Sequence, residues 1–65
     1  MDEQRTDSRQ FAAQRAAEYR QQARQMLMEA QAALLPSVRE VRLEAARRWW
    51  VMSQRSQRIA DASPA

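Results

Sequence analysis

The sequence contains no cysteine, histidine, lysine, glycine or asparagine. Without cysteine there is no disulfide framework, and without histidine as well there are no common zinc ligands. The same absences remove the usual general bases and nucleophiles near neutral pH. Without glycine, a phosphate-binding loop of the usual kind cannot form. We therefore expect a protein that is not an enzyme and that has no catalytic, cofactor or metal site.

Long apolar runs are also missing from the chain. The longest are a few residues, whereas roughly 20 are needed to cross a bilayer. The first ten residues, MDEQRTDSRQ, are polar and partly acidic, unlike a signal peptide. These features predict a cytoplasmic protein. A chain of 65 residues makes at most one small domain, and it has neither disulfides nor metal to support it, so association is the remaining source of stability.

The formal net charge is +3, and all eleven basic residues are arginine. The positive excess lies in residues 36–65, which carry six arginines and three acids. This charge is modest compared with that of a dedicated nucleic-acid-binding domain of the same size.

Composition and spacing both predict an all-α protein. Good helix formers dominate, and prolines occur only at positions 36 and 64. The first helix is predicted over residues 7–34, with its N-cap among Thr6, Asp7 and Ser8. Apolar residues repeat along it in steps of four and three, a heptad pattern typical of helix packing. The members of this repeat are Ala12, Ala16, Tyr19, Ala23, Met26, Ala30 and Ala33, with Phe11, Ala13, Leu27 and Leu34 beside them.

Pro36 predicts the break between two helices, because proline in a helix interior removes a hydrogen bond and clashes with the preceding turn. Leu35, before it, is expected to be extended. The second helix can begin with Pro36 at its first position or with a capping box from Ser37 to Glu40. A tight turn over residues 35–37 is favoured over one long kinked helix, which would leave both apolar stripes uncovered.

The second helix is predicted over residues 38–61, with flexible tails at 1–6 and 62–65. On a helical wheel with 100° per residue, the apolar residues form two neighbouring groups. One group, the face, is expected to contact the first helix, and the other, the flank, lies beside it. The face contains Val38, Val41, Ala45, Trp49, Met52, Ser56 and Ile59, and the flank contains Leu43, Ala46, Trp50 and Ser53. Because this apolar arc is too wide for one neighbour, we expect an antiparallel hairpin that dimerises into a four-helix bundle. The predicted hairpin and oligomer interface comprises Tyr19, Met26, Leu27, Leu34, Leu43, Trp49, Trp50, Met52 and Ile59.

The segment RRWWVMSQRSQR, residues 47–58, allows three interpretations. Its tryptophans can belong to a core and a protein interface. Alternatively, an arginine ridge can contact nucleic-acid phosphates or another anion. The third possibility is a helix lying on a membrane surface. The ridge comprises Arg47, Arg48, Arg55 and Arg58. The matching apolar stripe on the first helix favours a protein interface, and Glu40 and Glu44 interrupt the basic surface. Glu44 and Arg48 are spaced for a helical ion pair.

The stretches EYRQQARQMLMEA, PSVRE and LEAARRW, between Tyr19 and Met52, carry a loose resemblance to a group of short uncharacterised bacterial proteins. The resemblance covers about half the chain, and the doubled tryptophan departs from the pattern. It implies a helical hairpin of bacterial origin and no particular activity. We expect a self-associating interaction or assembly module, with a homodimer favoured and another protein as a further possible partner. A nucleic-acid-binding regulator is the alternative, and a peripheral membrane helix the third hypothesis.

Overall fold

The computed structural model describes the backbone of residues 2–62 and the side chains of residues 8–62. Two helices, α1 (Asp2–Ala32) and α2 (Pro36–Asp61), pack against each other as a hairpin. The described residues contain no strand. The molecule is a rod of 52 × 15 × 10 Å. The predicted all-α hairpin is therefore confirmed, and the single long kinked helix is not formed.

Helix α1 begins at Asp2, five residues before the predicted start, and ends at Ala32. The predicted N-terminal tail thus differs from the structure over residues 2–6, while Met1 lies outside the described residues. The residue types of this segment are compatible with a helix: acidic residues are favoured in a first helical turn, and Gln4 and Arg5 are good helix formers.

The turn between the helices occupies residues 33–35 instead of 35–37. Leu35 is extended, at φ −95° and ψ 131°, as expected for a residue before proline. Pro36 is the first residue of α2, and the N-cap makes no side-chain hydrogen bond. The proline start is therefore the one adopted, and the Ser37–Glu40 capping box does not form. The backbone amide of Arg39 donates a hydrogen bond to the carbonyl of Leu35 at 3.1 Å, and this bond forms the first turn of α2.

Helix α2 ends at Asp61, as predicted. The amide of Ala62 donates to the carbonyls of Arg58 at 2.9 Å and Ile59 at 3.3 Å, which satisfies carbonyls of the last turn. The rest of the predicted C-terminal tail, residues 63–65, lies outside the described residues.

The heptad stripe predicted on α1 is the surface that meets α2. Four alanines, Ala12, Ala16, Ala23 and Ala30, are buried there. The other three members, Tyr19, Met26 and Ala33, are half-buried. Each alanine buries little apolar area, but it lets the backbones approach closely.

On α2 the seam differs from the predicted face. Its buried residues are Ala46 and Ser53, which the sequence placed on the flank. Half-buried positions surround them: Arg42, Ala45, Trp49, Ser56, Gln57 and Ala60. The helix is thus rotated so that small side chains oppose the α1 alanines. Large side chains at the seam would hold the two backbones apart.

This rotation leaves predicted seam residues on the surface. Val41 is 62% exposed, Ile59 61% and Met52 38%. Phe11 and Leu27 on α1 and Leu34 in the turn are exposed as well. The interior therefore contains small side chains, while most of the large apolar ones lie outside it.

Candidate interaction surfaces

Because the seam occupies a narrow strip of each helix, the hairpin has two broad sides. We call the first the Phe11 face and define its apolar part by Phe11, Val38, Val41, Met52 and Ile59. At 100° per residue these side chains lie on the same side of the seam. All five are exposed. The Phe11 face therefore has apolar residues from both helices.

Two shallow grooves follow the Phe11 face. One, of about 670 Å³, lies between the helices and is lined by Phe11, Arg15 and Tyr19 from α1 and by Ile59 from α2. The other, of about 460 Å³, is lined by residues of α2 that include Val41, Trp49 and Met52. The walls of both grooves are mainly apolar.

Arg15 covers part of this surface. Its guanidinium carbon lies 4.9 Å from the centroid of the Phe11 ring, within the range of a cation–π contact. At an exposed position such a contact is worth about 0.5–1 kcal/mol. The contact holds the arginine stem along the aromatic ring at one end of the Phe11 face.

We call the opposite side the Trp50 face and define its apolar part by Leu27, Leu43 and Trp50. Leu27 and Leu43 are each 45% exposed and Trp50 is 49% exposed. Polar contacts surround them. Arg20 donates from Nη1 to the Gln57 Oε1 at 3.2 Å, and Gln57 donates from Nε2 to the Asp61 Oδ1 at 3.0 Å. The Trp50 face is thus smaller in apolar content and richer in polar groups.

The four arginines predicted as a ridge are all exposed on α2. On a helical wheel they separate into two pairs about 80° apart, Arg47 with Arg58 and Arg48 with Arg55. Arg48 Nη2 lies 3.0 Å from Glu44 Oε1, which confirms the expected helical ion pair. One of the four guanidinium groups therefore already has an acidic partner.

The remaining candidate residues are distributed around the turn and the seam. Leu34 is 97% exposed in the turn, so it belongs to neither face. Tyr19 and Trp49 meet across the seam with ring centroids 5.7 Å apart. Near the turn, Arg42 Nε lies 3.9 Å from Glu29 Oε1, an ion pair between the helices that the sequence reasoning missed.

The structure brings together part of the predicted interface and separates the rest. Met52 and Ile59 share the Phe11 face, whereas Leu27, Leu43 and Trp50 share the Trp50 face. Phe11, Val38 and Val41 were absent from the predicted interface set, although Phe11 was placed beside the α1 repeat and the two valines on the predicted α2 face. The signal that could have placed them was the alignment of small residues at positions 46, 53 and 60 with the alanines of α1.

Within the part of the chain that the structure describes, neither helix is long and apolar enough to span a membrane. The described residues also contain no cluster of three or more acidic side chains that could hold a metal ion. Comparisons with protein-family models, with curated proteins and with solved structures found no match for this chain.

Proposed function

We propose that this protein is a non-enzymatic interaction or assembly module that acts in the cytoplasm of a bacterium by self-association, with the homodimer as its basic unit. The observation that carries the proposal is the distribution of side-chain size. Among residues 8–62, the buried apolar side chains are those of five alanines, whereas aromatic and branched apolar residues lie on both broad faces. A second copy would cover side chains that the hairpin cannot bury alone.

The surface area of the chain supports the same proposal. A compact monomer of 7.6 kDa is expected to expose about 4,300 Å². This chain exposes 5565 Å². Its Cα radius of gyration is 15.2 Å, against about 11 Å for a compact domain of this length. The excess, about 1,300 Å², is more than the approximately 800 Å² that each partner contributes to a standard interface.

The non-enzymatic part of the proposal is supported by the side chains that could do chemistry. The sequence has no histidine, cysteine or lysine. Glu44, one of the acids near the arginine ridge, is 3.0 Å from Arg48 and serves an ion pair. The two grooves of the Phe11 face have mainly apolar walls, which suit the binding of another helix.

Sedimentation at micromolar concentration tests the proposal. We expect the chain to sediment as a dimer, with a monomer fraction that grows on dilution. A well-folded monomer at all concentrations up to about 100 μM would overturn the self-association proposal. Circular dichroism on the same samples must show a helical chain, so that an unfolded monomer is not counted as a folded one.

The alternative function, nucleic-acid binding by the arginine ridge, has weaker support. The four arginines point in two directions, and Arg48 is paired with Glu44. Duplex binding at about 50 mM salt that is lost in Arg47→Glu/Arg55→Glu would favour this alternative.

A further inference from the structure

We propose that the Phe11 face is where the second copy packs, so that two hairpins form an antiparallel four-helix bundle whose Trp50 faces remain outside. This inference rests on the proposed self-association and names the surface that performs it. The sequence alone favoured the opposite assignment, with Leu43 and Trp50 at the oligomer contact and Met52 inside the hairpin.

The apolar surface of the Phe11 face is more extensive than that of the Trp50 face. On α2 the Phe11 face is apolar from Val38 to Ile59, about 32 Å along the helix at 1.5 Å per residue. On α1 it adds Phe11 and the exposed edge of Tyr19, which line the groove beside Ile59. The apolar part of the Trp50 face has three residues. A four-helix bundle needs an apolar stripe along its helices, and among the described residues the longest one is the α2 part of the Phe11 face, to which α1 adds Phe11 and Tyr19 at one end.

The two faces also differ in the charges that a two-fold dimer would bring together. A two-fold dimer places the same face of each copy against the other, so like charges near its centre meet. On the Trp50 face, Arg20, Arg24 and Arg39 lie along the rod on the same side as Trp50, with Asp61 at one end. Pairing two such faces would bring arginines towards arginines. The Phe11 face brings together one arginine of each copy, Arg15, whose guanidinium lies against the Phe11 ring. The Trp50 face, with three arginines, is therefore less suited to bind a copy of itself.

The rims of the Phe11 face carry charges that can pair between two copies. Glu18 lies on the outer rim of α1, where Glu29 already pairs with Arg42 of its own hairpin. Arg48 and Arg55 lie on the outer rim of α2, where Glu44 already pairs with Arg48. If α1 of one copy packs beside α2 of the other, Glu18 meets the arginines of that rim, as at the flanking positions of coiled coils. This complementarity identifies the occupant of the face as a second copy of this chain.

The contacts within the hairpin also give the level of each residue along the rod. Tyr19 is level with Trp49, and Glu29 with Arg42. A two-fold axis parallel to the helices keeps these levels in the second copy. Phe11 of one chain then lies beside Ile59 of the other. Glu18 lies between the levels of Arg48 and Arg55 of the other chain, within reach of both long side chains.

The test compares two glutamate substitutions on α2. Val41→Glu alters the Phe11 face, and its matched control, Leu43→Glu, alters the Trp50 face two residues away. Both positions are exposed in the hairpin, at 62% and 45%, so neither change disturbs the seam between the two helices. In sedimentation we expect Val41→Glu to raise the dimer dissociation constant at least about 100-fold, the effect of losing roughly 2.7 kcal/mol. Leu43→Glu should change it less than about 3-fold.

The outcomes separate the two proposals. A wild-type chain that stays monomeric and folded overturns the proposed function and this inference together. If the wild-type chain dimerises, and Leu43→Glu dissociates the dimer while Val41→Glu does not, only the choice of face is overturned.

Because the chain has no cysteine, single cysteines can also be cross-linked specifically. A mixture of Phe11→Cys and Ile59→Cys chains should cross-link between copies faster than either variant alone, whereas Leu43→Cys should not cross-link. Faster linking of Phe11→Cys to itself would overturn the parallel two-fold axis.

Discussion

Tyr19 and Trp49 form the one contact between large aromatic rings across the described seam, with ring centroids 5.7 Å apart and planes tilted by 31°. Both residues are half-buried, and alanines or serine occupy the buried positions above and below them. The pair therefore supplies a large share of the apolar contact within one hairpin. Trp49 and its neighbour Trp50 have separate roles, because one lies in the seam and the other on the Trp50 face.

The adjacent tryptophans should respond differently to truncation. We expect Trp49→Ala to lower the free energy of unfolding by about 3 kcal/mol, at the low end of the range for a buried aromatic residue because Trp49 is only half-buried. Trp50→Ala should lower it by less than about 1 kcal/mol, since nearly half of that side chain is exposed. Urea unfolding followed by circular dichroism measures both changes. Equal losses would contradict the assignment of Trp49 to the seam.

Ser53 tests the close packing of the seam. Its hydroxyl donates to the carbonyl of Trp50 at 2.6 Å, a bond within its own helix. Ser53→Ala should therefore change the free energy of unfolding by at most about 0.5 kcal/mol, with the better helix propensity of alanine offsetting the lost bond. Ser53→Leu should cost about 1–3 kcal/mol, because the larger side chain forces the helices apart. Thermal unfolding of the two variants makes the comparison, and a stable leucine variant would show that the seam is loosely packed.

The ion pair between Glu29 and Arg42 should contribute little. Its atoms are 3.9 Å apart, and the two side chains are 37% and 43% exposed. We expect a double-mutant cycle with Glu29→Gln and Arg42→Gln to give a coupling energy below about 1 kcal/mol that decreases as salt is added. A salt-independent coupling of several kcal/mol would mean that this pair is shielded from water.

Pro36 should contribute to stability mainly by restricting the conformational freedom of the unfolded chain, and less through contacts in the folded one. It occupies the first position of α2, where no amide hydrogen bond is required. Pro36→Ala should lower the free energy of unfolding by about 0.4–1 kcal/mol, because the unfolded chain gains freedom. The hydrodynamic radius should stay that of the hairpin, since packing of the two seams opposes opening. A marked increase in radius would show that the turn depends on the proline ring.

The sequence predicted the hairpin and the α1 seam because both follow from local patterns. Pro36 fixes the break, and the four-three spacing from Ala12 to Ala33 fixes which side of α1 is buried. The rotation of α2 could not be read in the same way. Its apolar arc is wide, so hydrophobicity alone did not distinguish the strip through Val41 and Met52 from the strip through Ala46 and Ser53.

What decided the rotation was size complementarity between the helices. Alanines on α1 favour the closest approach, and only the strip through Ala46 and Ser53 permits it. The candidate interaction surface moved with that rotation, since the residues excluded from the seam became the Phe11 face. The start of α1 also differed, because acidic residues near Asp2 support a helix end as well as a polar tail.

Association between copies is expected to be part of what keeps this small hairpin folded. The dependence of the urea unfolding midpoint on protein concentration tests this most directly, because a dimer that unfolds to two separate chains is stabilised by mass action. Over a 100-fold rise in concentration, we predict that the apparent free energy of unfolding increases by about 2.7 kcal/mol per dimer and that the midpoint rises accordingly. A midpoint that stays unchanged across that range, with the chain folded throughout, would contradict the account.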